Sequence, residues 1–104
     1  MHIDHAKVRR ESLRWLILLT LNNARPCGAQ ESPILSVAQS IYPDASPLEL
    51  RRELDYLGDR DLVKLRKDPS GPWHAELTRN GVDIAEYTID CEPGIARPQK
   101  YWAG

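Results

Sequence analysis

Apolar residues recur at three- and four-residue steps along most of this chain, and at alternate positions in one short stretch bounded by turn formers. Between Asp4 and Arg25, residues Val8, Leu13, Leu16, Ile17, Leu19, Thr20 and Leu21 supply a wide apolar face, with Asp4 placed to cap it. The pattern predicts a long, deeply buried first helix. Arg25-Pro26-Cys27-Gly28-Ala29-Gln30-Glu31 then forms a loop able to pair briefly with a later strand. Ser32-Pro33 restarts a helix by a cap-plus-proline device, packed by Ile34, Leu35, Val37, Ala38 and Ile41, and Tyr42-Pro43-Asp44-Ala45 turns the chain again.

The stretch from Ser46 to Leu77 is the most informative. Ser46-Pro47-Leu48-Glu49 offers a hydroxyl acceptor for free backbone N–H groups, a proline at the first helical position and a glutamate placed to reach back. Leu50, Leu54 and Leu57 fall on one buried stripe, continued in spacing by Asp61, which leaves Arg51, Arg52, Asp55 and Asp59 on the other side. Gly58 weakens the helix near its end. Leu62–Lys67 and Trp73–Leu77 flank Asp68-Pro69-Ser70-Gly71-Pro72, a segment suited to a hairpin loop. Thr78 caps a short last helix through Tyr87, with Val82, Ile84 and Ala85 inside, although Gly81 is unfavourable in its first turn.

This order predicts an α+β fold of the winged helix-turn-helix kind: three helices, a two-stranded wing hairpin, a short fourth helix and an extended C-terminal arm. The domain spans 1–87 and the arm 88–104, where Pro93-Gly94, Arg97-Pro98 and the aromatic pair Tyr101-Trp102 suit a segment docked on its own domain or on a neighbour.

Composition narrows the function. With 104 residues the chain holds one core and leaves no room for a separate catalytic domain. Its longest apolar run, Trp15–Leu19, falls far short of the roughly 20 residues that span a bilayer. No small-residue cleavage site follows that run, so a cytoplasmic location without membrane partners is expected. Cys27 and Cys91 make no disulfide framework. A formal net charge of −1 means that any contact with nucleic acid must come from a local patch. The first helix, with Lys7, Arg9, Arg10 and Arg14 on its polar side, is the most basic region; that side is either a solvated face or one that touches phosphates.

The stretch Leu48 to Val63 resembles the recognition helix and wing entry of the winged helix-turn-helix superfamily, which includes the ArsR and MarR types of bacterial regulator. Leu77-Thr78-Arg79-Asn80-Gly81 resembles the "L-T-x-x-G" segment that follows the wing in many of its members. More narrowly, Asp4-His5-Ala6-Lys7-Val8-Arg9-Arg10, the helix-to-wing core and Pro93-Gly94-Ile95-Ala96-Arg97-Pro98 are similar to short winged-helix proteins of Mu-like prophages. The resemblance spans nearly the whole chain and implies a fold more than a function.

Other chemistries have little support. Some ArsR proteins hold metals through paired cysteines on the recognition helix, but this helix has neither Cys nor His, and Cys27, Cys91, His2, His5 and His74 are scattered. No metal or other cofactor is expected. The chain shows no phosphate-binding glycine loop, no activated nucleophile and no carboxylate pair across a cleft, so it is not expected to be an enzyme.

Double-stranded DNA is the expected partner, bound by a homodimer acting as a phage or prophage transcriptional regulator or accessory factor. Arg51 and Arg52, at the start of the recognition helix, are placed to donate to base edges, and Ser46 to hold a phosphate. Lys64, Arg66 and Lys67 rise along the first wing strand toward the backbone or minor groove, the first two on one face and Lys67 on the other. Acidity opposes this, since Glu49, Glu53, Asp55 and Asp59 outnumber Arg51, Arg52 and Arg60 on the helix and its end. The alternative is a winged helix used, without DNA binding, as a protein-interaction module of a phage or bacterial assembly, meeting its partner through Tyr56 and the mixed charges of the recognition helix and through the C-terminal arm.

Overall fold

Asp4 caps α1 (His5–Asn23) by accepting the Lys7 N–H at 3.1 Å. The computed structural model describes residues 2–100, so the Tyr101-Trp102 pair lies outside the described residues. Leu13, Ile17, Leu18 and Leu21 are almost wholly buried along one side of α1. Val8, expected to pack, is instead half-exposed near the start of the helix.

A two-residue strand, β1 (Ala29–Gln30), precedes α2 (Glu31–Ile41), which buries Ile34 and Ala38. The helix begins before Ser32, and Gln30 in its cap position makes no side-chain hydrogen bond. The early start has a cause outside the helix: the Glu31 N–H donates to the Trp73 carbonyl at 2.9 Å. Pro33 still sits among the first-turn positions that have no intrahelical N–H partner to lose.

α3 (Pro47–Asp59) starts as the sequence predicts, with the Ser46 hydroxyl accepting the Glu49 N–H at 3.2 Å. It buries Leu50, Leu54 and Leu57 against α1 and the sheet. Gly58 has a packing reason, because a Cβ there would press on the Leu65 side chain at 3.2 Å. Asp61 takes a left-handed φ of 59° and swings the chain into the wing.

The wing is β2 (Val63–Arg66) and β3 (His74–Leu77), paired antiparallel with Val63 opposite Leu77 and Arg66 opposite His74. The sheet has three strands rather than the expected two, in the order β1-β3-β2, because Ala29 and Gln30 pair with Ala75 and His74. Gly28 permits that third strand: it has φ 71°, and a Cβ on it would collide with the Ala75 carbonyl.

Thr78 caps α4 (Arg79–Ala85) by accepting the Gly81 N–H at 3.1 Å. Gly81 is required because a Cβ would run into the Leu62 carbonyl, which itself accepts from the Thr78 N–H at 3.1 Å. The helix ends before Tyr87, whose φ of 62° breaks it. Residues 88–100 fold back on the body. Ala96 donates to the Glu11 carbonyl at 3.1 Å, Arg97 to the Ile84 and Ile89 carbonyls at 3.1 and 2.9 Å, and Tyr87 Oη to the Pro98 carbonyl at 2.6 Å. The whole is compatible with a winged helix, with a small third strand and an arm laid along α1.

Candidate nucleic-acid interface

One side of α3 is left to solvent. Leu48, Arg52, Asp55 and Asp59 follow one another at four- and three-residue steps on that side, and the wing strand β2 stands beside it. Leu48 is 61% exposed. Arg52 is exposed and makes no ion pair among the described residues, and Asp59 is likewise unpaired.

The other three acids of α3 are neutralised by cations from elsewhere in the chain. Arg9 of α1 grips Glu49 with both arms, at 2.7 and 2.8 Å, reaches Asp44 at 2.9 Å and stacks on Tyr42. These partners raise the Arg9 pKa further, Glu49 most, so the guanidinium stays charged. Arg14 donates to Glu53 at 2.8 Å in the core. Lys67 on the wing meets Asp55 at 2.7 Å. The acid excess read along the helix is therefore not an excess on its solvent face. It also follows that Arg9 and Arg14, expected on the polar side of α1, turn inward, which leaves Lys7 and Arg10 as its exposed cations.

On the wing, Lys64 and Arg66 are exposed while Val63 is buried and Leu65 half-buried, so the alternation is as expected. Their cross-strand neighbours are Glu76 and His74. The His74 ring Nε2 lies 3.1 Å from the Cys27 carbonyl. Ser70 N–H donates to Asp68 at 2.9 Å at the wing tip, closing a local turn.

Arg51 is placed differently from Arg52. Its Nε and Nη2 donate to the two carboxylate oxygens of Glu31, at 2.8 and 2.5 Å, and its guanidinium lies 4.8 Å from the Trp73 ring centre. Lys67 Nζ approaches the same ring at 4.7 Å. Ser46 is exposed, its hydroxyl oxygen occupied by the Glu49 N–H and its O–H still available to donate. Ser46 thus stands at the start of α3, Arg52 on its solvent side and Lys67 against Asp55, while Lys64 and Arg66 project from the sheet face opposite the one that sets Val63 and Leu65 against the core and α3; Arg51 is the joint between helix and wing.

Sequence reasoning missed Glu31, Leu48 and Trp73. An isolated acid after a loop carries no signal of a partner twenty residues on, and Leu48 reads like any other leucine of an amphipathic helix. Trp73 gave a usable hint, as an aromatic at a wing edge with Lys67 across the loop.

No protein-family model matches the chain, and no curated protein does. Among solved structures, it is similar to the crystal structure of a "putative DNA-binding protein" from Ralstonia eutropha JMP134, with 24% identity and a TM-score of 0.60. The likeness covers 86% of this chain and 100% of that one. It shows a shared fold. Among the described residues, no helix is long and apolar enough to cross a membrane.

Proposed function

We propose that this protein binds double-stranded DNA through α3 and the wing, without enzymatic activity, as a homodimeric regulator or accessory factor of phage or prophage origin. The observation that carries the reading is the state of the cations on α3 and the wing: Arg52, Lys64 and Arg66 are exposed and unpaired among the described residues, while the acids Glu49, Glu53 and Asp55 are each matched. A likeness in fold to a protein described as a "putative DNA-binding protein" supports it.

In this reading α3 lies in the major groove, with Arg52 donating to a guanine edge and Leu48 against a thymine methyl group. Ser46 donates to a phosphate at the helix start, and Lys64 and Arg66 contact the backbone along the wing. Lys67 contributes less, being shared with Asp55. Two copies are needed because one short recognition helix reads one half-site. The arm gives less support to a protein-module reading, since residues 88–100 are spent on contacts with their own domain.

The roles separate by substitution. Lys64→Ala should weaken binding equally on all sequences and lower the slope of log affinity against log salt by about 0.9. Arg52→Ala should cost about 1–3 kcal/mol on a selected site and relax preference at one base pair. Competition binding on a randomised duplex library measures both; an Arg52→Ala protein with unchanged preference sinks the assignment of base contact.

A further inference from the structure

Three elements that are distant in sequence meet at Glu31. Its N–H donates to the Trp73 carbonyl at 2.9 Å, and its Oε1 accepts the Trp73 N–H at 3.1 Å, so one residue of α2 takes both backbone groups of one residue of the wing. The same carboxylate holds the Arg51 fork of α3 at 2.8 and 2.5 Å, and Arg51 also reaches the Gly71 carbonyl at 3.4 Å. Trp73 receives Arg51 and Lys67 on its ring, and Lys67 closes the circuit on Asp55 of α3. The Glu31 side chain is only 12% exposed, whereas Arg51 is 35% exposed.

We infer that Glu31 is a positioning residue, which through Arg51 and the Trp73 backbone fixes the wing against α3 and so sets the spacing of Arg52, Lys64 and Arg66 for duplex DNA. The inference rests on the DNA-binding reading above. Its physical basis is preorganisation. Strand packing and the pairing with β1 hold the base of the hairpin, but a loop end left free beyond them would have to be ordered when DNA arrives, and the affinity would fall by the fraction of time it is misplaced. Two backbone hydrogen bonds and a bidentate ion pair order it beforehand. Arg51 is in consequence not a reader of bases, because the donors it would use are held by Glu31. Freeing them would leave a largely desolvated carboxylate without its cation.

Glu31→Gln and Arg51→Ala separate this role from direct contact. Each full-length variant is titrated with duplex DNA by fluorescence anisotropy over a range of salt, and amide hydrogen exchange is followed across 63–77. Both variants should lose affinity about tenfold, as expected if the wing is correctly placed roughly a tenth of the time. Their salt slopes should match that of the unaltered protein, and wing amides should exchange faster while those of α1 keep their protection. A slope lowered by about 0.9 in Arg51→Ala would make Arg51 a phosphate contact and overturn the inference. Wing exchange unchanged in Glu31→Gln would overturn it independently of any DNA. Failure of the unaltered protein to bind at low salt would instead defeat the DNA reading and the purpose assigned to the clamp, while faster wing exchange in Glu31→Gln would still establish that Glu31 holds the wing.

Discussion

Arg51 and Arg52 are adjacent and chemically identical, yet the fold gives them opposite tasks. One step along a helix is a turn of roughly 100°, enough to aim Arg52 at solvent and Arg51 at Glu31. The carboxyl of Glu31 is held below the usual carboxylate range, first by the Arg51 hydrogen bonds, with the Trp73 N–H assisting and burial opposing. A carboxylate whose folded-state pKa lies below its unfolded value adds stability that is fully present above the unfolded value, roughly 4.3, and is lost as the pH falls through the lower one. The stability lost in Glu31→Gln should therefore be full near neutrality and shrink toward zero in acid. Urea denaturation of both proteins across that range checks it; a gap of constant size would mean that the charge of Glu31 contributes nothing.

At the scale of elements, most of the order was readable and the exceptions have causes. Caps on Asp4, Ser46 and Thr78 stand where the sequence puts them, since a short polar side chain before an apolar period has one local use. The start of α2 and the strand β1 were less legible because both depend on β3, through pairing that only the assembled sheet supplies. Candidate site residues were legible as cations on a helix face, but not as paired or unpaired, since their partners come from other elements. Buried Arg14 shows the same limit: it joins Glu53 of α3 to the Gly94 carbonyl of the arm, at 2.8 Å each, and lies on the Tyr56 ring at 3.4 Å. A Cβ at Gly94 would strike the Tyr56 hydroxyl, which explains why the arm's glycine falls there. Removing one partner from this pair should cost about 3–5 kcal/mol, whereas Arg14→Met with Glu53→Leu should recover most of that loss. Thermal unfolding of the two single variants and the double variant tests the point, and an additive double variant would contradict it.

Across the whole molecule, charge is organised by pairing rather than by amount. A net charge of −1 gives no broad attraction for DNA. What remains is a small set of unpaired cations on α3 and the wing, backed by a Glu31 that holds the wing in place and by an arm that keeps α1, α3 and α4 together. Such a surface should bind weakly to random sequence and depend on geometry for strength. The salt dependence of binding to a random duplex tests this most directly, by fluorescence anisotropy of the purified protein at low and physiological ionic strength. Binding should be measurable at low salt and fall steeply as salt is raised, with a slope reduced in Lys64→Ala and Arg66→Ala. No binding at low salt, or binding indifferent to salt, would contradict it.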